Sequence, residues 1–113
     1  MNTLKLNLDI LEIDTQEGLI GNNNQDRYFN YNENLKANVS LVSNSGYRAI
    51  AISEITSPTI CVVTSDMPIN VRVNGNEITN TQFLVLNTLI STLEVANVSP
   101  QTAQVNVNVW GVQ

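Results

Sequence analysis

The feature that most restricts this chain is a two-residue rhythm of apolar side chains that recurs through most of its length. No window carries the three- and four-residue apolar spacing of an amphipathic helix. The rhythm is plainest near the end, where Ala103, Val105, Val107 and Val109 alternate with Gln104, Asn106, Asn108 and Trp110. Ile69, Val71 and Val73 alternate in the same way with Asn70, Arg72 and Asn74. Successive side chains of a strand point to opposite faces, so each segment turns one apolar face to a core and one polar face to water or a partner. Thr59-Ile60-Cys61-Val62-Val63-Thr64 is apolar on both sides, which predicts a central strand covered on both faces.

Turn residues divide these segments. Asn74-Gly75 is a strong two-residue hairpin signal, because both residues tolerate the positive φ that such a turn demands. Asp66-Met67-Pro68 and Ser99-Pro100 also punctuate the run from Thr59 to Val112, whose remaining strands are predicted near Gln82–Leu86, Leu89–Val98 and Ala103–Val112. Earlier, Thr3–Ile13 reads as a first strand with Leu4, Leu6, Leu8 and Ile10 on one face and Lys5, Asn7 and Asp9 on the other. Leu11 and Ile13 interrupt that polar face, which calls for a twist, a bulge or a second covered surface. Leu35–Val42 alternates again, Asn44-Ser45-Gly46 forms a turn, and Tyr47–Ile55 is expected to pair back across it before Thr56-Ser57-Pro58 closes the unit. About eight short strands with turns between them predict an all-β, antiparallel two-sheet sandwich, of possible jelly-roll type, as a single domain over residues 1–113.

Residues 14–34 lose the rhythm. They are polar, contain Gly18, Gly21 and Asn22-Asn23-Asn24-Gln25-Asp26, and read as a long polar loop or contact arm, since a stretch of this length without structure is usually functional. Within it, Arg27–Asn32 holds much of the aromatic content; as a short strand it would turn Tyr28 away from Phe29 and Tyr31.

Composition removes several functions. Only 13% of the residues are charged, so solubility rests largely on amides, and their placement between apolar residues in strand register favours a folded chain over a low-complexity one. The net charge of −5, with Lys5, Arg27, Lys36, Arg48 and Arg72 well separated, argues against binding nucleic acid or an anionic membrane surface. No apolar run approaches membrane-spanning length, and Met1-Asn2-Thr3-Leu4-Lys5 lacks the layout of a signal peptide, so synthesis in a cytoplasm without secretion is expected. Cys61 is the single cysteine and there is no histidine, which excludes an intramolecular disulfide and leaves a thiol without its usual base. It is expected to be a small buried hydrophobe.

Candidate chemistry is sparse. Asp9, Glu12, Asp14 and Glu17 are acidic neighbours, but their spacing fits no calcium loop, and solvated charges at a strand end explain them better. A glycosidase pair would need two carboxyl groups held at a set distance in a cleft. A serine nucleophile lacks its histidine, no Gly-x-Ser-x-Gly elbow occurs, and Gly-rich phosphate loops are missing. No metal or cofactor is expected. Asn38-Val39-Ser40 and Asn97-Val98-Ser99 match the glycosylation pattern and are read as chance matches. Trp110 carries more weight: an indole beside Asn106 and Asn108 suits an interface, or stacking on a sugar ring.

The series Ser65–Gly75, then Leu93-Glu94-Val95-Ala96-Asn97, then Val105-Asn106-Val107-Asn108-Val109-Trp110-Gly111 resembles, in rhythm and turn placement, the closing half of small β-sandwich virion proteins of tailed bacteriophages, the head-decoration and neck or tail accessory proteins. The resemblance implies a non-enzymatic structural protein, decorating or stabilising a capsid by contacts with the major capsid protein or other virion proteins. It also implies a homo-oligomer, a trimer being natural at three-fold positions, located in the virion after synthesis in the host cytoplasm. The residues expected at such interfaces are Asn22, Asn23, Asn24, Tyr28, Tyr31, Asn106, Asn108 and Trp110. The alternative is a carbohydrate- or receptor-binding module of a fibre or tail, using Trp110, Tyr28 and Tyr47.

Overall fold

In the computed structural model, which describes residues 2–112, the described residues form seven strands and no helix: β1 (Asn2–Asp14), β2 (Gly18–Leu41), β3 (Arg48–Ala49), β4 (Pro58–Val73), β5 (Asn76–Asn87), β6 (Leu93–Asn97) and β7 (Ala103–Val112). The pairings of β1 with β2, β3 with β6, and β4 with β5, β6 and β7 are all antiparallel. Along the sheet the order is β1-β2-β7-β4-β6-β3, with β5 attached to β4. Contacts divide the chain into two units, Met1–Tyr31 and Asn32–Gln113.

The first unit is a two-stranded ribbon. β1 pairs with the front of β2 from Asn2↔Tyr31 to Asp14↔Gly18, and only residues 15–17 separate the strands. The turn is built by Asp14, whose Oδ1 accepts from the N–H groups of Gln16 (2.8 Å) and Glu17 (3.0 Å), and by Gly18 at φ +82°. Those two bonds stabilise the ionised form and hold the Asp14 carboxyl below its ordinary pKa. The expectation of a long polar loop over 14–34 is therefore corrected: most of it is strand. Alternation marks a strand only where one face is buried, and Asn22, Asn23, Asn24 and Gln25 are exposed while β1 supplies their backbone partners. The register skips one residue of β2 between Glu12 and Ile13, so the irregularity near Ile13 is a bulge.

The second unit is organised on β4. Its front, from Pro58 to Ser65, pairs with β7, its rear, from Ile69 to Val73, pairs with β6, and β5 follows the opposite edge from Ile60 to Val73. Asp66-Met67-Pro68, read in the sequence as a break between strands, is instead a bend within one strand. Side chains tie the bend down: Asp66 Oδ1 accepts from Gln104 N–H (2.8 Å), Gln82 Nε2 donates to Asp66 O (3.0 Å), and Met67 N–H donates to Ser65 Oγ (3.2 Å). Asn74 and Gly75, at φ +52° and +83°, make the predicted two-residue turn into β5. Asn74 also braces the 89–92 loop, accepting at Oδ1 from Ser91 N–H, Ser91 Oγ and Thr92 N–H and donating to Leu89 O.

The core of the second unit takes one face of the rear of β2 and of β4, β6 and β7. Cys61, Val63, Ile69, Val71, Val95, Val105, Val107 and Val109 are at most 1% exposed, and Leu84 and Leu86 of β5 pack against the cluster. Ile50, Ile52 and Ile55 join it from a segment that is not strand, which corrects the expected pairing of Tyr47–Ile55 across Gly46. Only Arg48 and Ala49 pair, and they do so with β6. Three buried isoleucines within six residues hold this segment as core filler, and Ile50 N–H donates to Leu93 O at 2.8 Å. The strand expected over Leu89–Val98 is confined to Leu93–Asn97, because the loop before it is used to meet Asn74, Thr59 and Pro58.

Candidate binding surfaces

Three groups of side chains are left facing outward in an organised way. The first lies on the ribbon. Residues directly opposite across an antiparallel pair share a face, so Leu4/Phe29, Leu6/Arg27, Leu8/Gln25 and Ile10/Asn23 line one side with Asn2/Tyr31. Lys5/Tyr28, Asn7/Asp26, Asp9/Asn24 and Leu11/Asn22 line the other. This places Tyr28 opposite to Phe29 and Tyr31, as the strand reading requires. The polar side is knit together: Asn7 Nδ2 donates to Asn24 Oδ1 and Asp26 Oδ1, and the Lys5 ammonium lies 3.9 Å from Asp26 and 5.8 Å from the centre of the Tyr28 ring. The apolar side is open, with Leu8 and Ile10 about half exposed, and towards the turn Leu11, Ile13 and Leu19 expose 51%, 66% and 60% on the other side. A protein surface rarely leaves large aliphatic side chains open on both faces of one short ribbon, two on one and three on the other.

The second group is a groove on the outward face of β2, β7 and β4. Trp110, Asn108 and Asn106 sit opposite Ile60, Val62 and Thr64. Lys36 and Asn38 of β2 complete the lining, around a volume of about 470 Å³. Trp110 is half-buried and Asn106 exposed. Asn108 Oδ1 is buried without a hydrogen-bond partner among the described residues. Beyond Thr64 and Val62 the same face continues onto Phe83 and Val85 of β5, both exposed.

The third is a charged clamp. The Arg72 guanidinium donates from Nε and Nη2 to the two oxygens of Glu94 (2.9 and 2.8 Å), lies 4.0 Å from the centre of the Tyr47 ring, and Tyr47 Oη donates to Glu77. The fork-to-carboxylate contact holds the Glu94 carboxyl below its ordinary range and raises Arg72 further. Partial burial, aided by the Glu77 carboxylate, pushes the Tyr47 hydroxyl up to about 12. Arg72 lies over the Tyr47 ring and Glu77 holds its hydroxyl, so Tyr47 is fixed in this clamp.

Of the residues singled out from sequence, Asn106, Asn108 and Trp110 come together on one surface, and Asn22, Asn23, Asn24, Tyr28 and Tyr31 belong to the ribbon. Lys36, Asn38 and Thr64 were missed, although each is a polar residue out of phase with Ala37, Val39 and Val63 and was readable as outward-facing. The Asn97 glycosylation match is occupied internally. Its Nδ2 donates to the carbonyls of Leu41, Val42 and Gln101, its Oδ1 accepts from Ser99 N–H, and the residue is 1% exposed. Cys61 is fully buried, and burial pushes its thiol up to about 12. Among the described residues no group of three His, Cys, Asp or Glu side chains is placed to hold a metal ion. Comparison with family models, with curated proteins and with solved structures finds no match for this chain.

Proposed function

We propose that this protein is a non-enzymatic structural component of a bacteriophage virion, a capsid decoration or stabilising protein that works through subunit contacts as a closed homo-oligomer, with a trimer favoured. The observation that carries the reading is the ribbon's open apolar surface. A two-stranded ribbon is at best marginally stable by itself in water, and this one leaves Leu8, Ile10, Leu11, Ile13 and Leu19 exposed. Covering an aliphatic side chain that is half exposed is worth about 1 kcal/mol on the usual area scale, so a contact that buries one face of each ribbon, two or three such side chains per copy, contributes roughly 4–6 kcal/mol to a pair of copies. That reaches the lower end of the roughly 4–15 kcal/mol cost of association, and a closed oligomer that covers both faces of each ribbon adds to it. A second copy of the same chain is the occupant that supplies such a surface at every contact, and closed symmetry leaves no unpaired strand edge to propagate.

The virion assignment draws on the resemblance of the segments that became the rear of β4, β6 and β7. The two-sheet sandwich belongs to the same reading, supported by β4 itself: its partner changes from β7 to β6 at the bend, as when one strand passes between two layers. Light scattering at about 50 µM is expected to give an oligomer for the native chain and a monomer for the Leu8→Lys, Ile10→Lys double variant. Mass spectrometry of purified particles is expected to find the chain in them. A monomeric native protein that is also missing from the particles overturns the proposal.

A further inference from the structure

We propose that the groove beside Trp110 is a binding site for a saccharide that carries an acidic group. Its lining has the parts such a ligand uses. A half-buried indole offers an apolar plate to the C–H face of a pyranose ring. Asn38 and Asn106 present both donors and acceptors, as adjacent hydroxyls do, and Thr64 adds a hydroxyl. Asn108 Oδ1 is enclosed, so the amides that a ligand hydroxyl reaches are the exposed Asn38 and Asn106. The volume of about 470 Å³ lies within the range of small-ligand sites.

Charge selects the acidic class. The chain has ten acidic and five basic residues, but the lining contains Lys36 and no carboxylate. The ion pairs of the described residues use Lys5 and Arg72, leaving the Lys36 ammonium without a protein carboxylate. A cation unpaired at the edge of an amide-lined groove, on an otherwise acidic protein, is matched by a sugar carboxylate or phosphate. This site stands apart from the assembly reading, which uses the ribbon.

The chain's single tryptophan is the one in the groove, so its fluorescence reports on this site alone. The probes are a disaccharide ending in glucuronic acid and the neutral disaccharide with glucose in its place, titrated into the native protein to 50 mM at low and high salt. A saturable change in emission is expected for the acidic probe, with affinity about tenfold weaker for the neutral one and the gap narrowing as salt rises. Lys36→Gln is expected to abolish the gap. Asn38→Ala is expected to weaken both probes about tenfold while its melting temperature stays within a few degrees of native. No saturable change with either probe, or equal affinity for the two, overturns the proposal, and neither outcome touches the oligomeric state by which assembly is judged.

Discussion

Replacing Asn97 by Ala is expected to be among the most damaging single changes in the second unit, although the side chain it removes is polar. Asn97 joins four backbone groups, the carbonyls of Leu41, Val42 and Gln101 and the N–H of Ser99, of which Val42 O also accepts from Ser45 N–H and Gln101 O from Ser99 Oγ. The contacts to Leu41 O and from Ser99 N–H are buried, and the other two are partly accessible to water. A buried group left unpaired costs about 1–3 kcal/mol, so the two buried ones together cost roughly 2–6 kcal/mol, with little added from the pair that water can reach. Against a typical domain stability of about 5–15 kcal/mol this is a large share. At about 4 °C per kcal/mol it corresponds to a fall in melting temperature of roughly 8–24 °C. Urea unfolding followed by Trp110 emission measures it directly, with the slope against urea unchanged. Asn97→Asp, which restores the acceptor for Ser99 but turns oxygens towards three carbonyls, is expected to do at least as much damage. Asn106→Ala, on the exposed face of β7, is expected to cost less than about 0.5 kcal/mol. A loss below about 1 kcal/mol for Asn97→Ala would refute the reasoning, since the carbonyls would then have found other donors.

Other outcomes follow from single contacts. A Cβ at Gly111 would lie 2.6 Å from Thr56 O and 3.0 Å from the Ile55 side chain, so Gly111→Ala is expected to lower stability by about 1–3 kcal/mol in thermal melts. Cys61 is expected to resist a thiol reagent in the native protein and react fully in urea. Because its thiol is raised, its contribution is complete below the ordinary thiol pKa of about 8.5 and is lost as pH climbs towards about 12, a decline that Cys61→Val removes from alkaline melts. Glu94 shifts the other way: its contribution is present above the ordinary glutamate pKa of about 4.3 and disappears as pH falls through the lowered folded value, so Glu94→Gln is expected to flatten the acid side of the stability profile. Arg72→Lys is expected to weaken the same clamp, since an ammonium cannot bond both carboxylate oxygens and lie flat on Tyr47.

The reach of the sequence can be seen strand by strand. Alternation at 103–109 and 69–73 named the core valines correctly, and Asn74-Gly75 named its own turn, because burial of one face and positive φ are local demands that residue type must meet. The all-β, antiparallel class was readable for the same reason. Alternation was silent over 18–34, where the outward amides of β2 left no buried face to read, and the strand there exists because β1 runs beside it. Ile50, Ile52 and Ile55 imitated a strand because core filler and strand share the same appetite for branched side chains.

What the chain by itself determined is thus its class, its core face and the outward parity of Trp110, Asn106 and Asn108. Only the tertiary structure decided that Lys36, Asn38 and Thr64 would meet them in one groove, that Arg72 would take Glu94 and Tyr47, and that Asn97 would bind the carbonyls of the distant Leu41 and Val42. The physical reason is that parity is set by each residue's immediate neighbours. Which strands lie side by side, and in what register, depends on contacts between residues tens of positions apart, which no local pattern encodes.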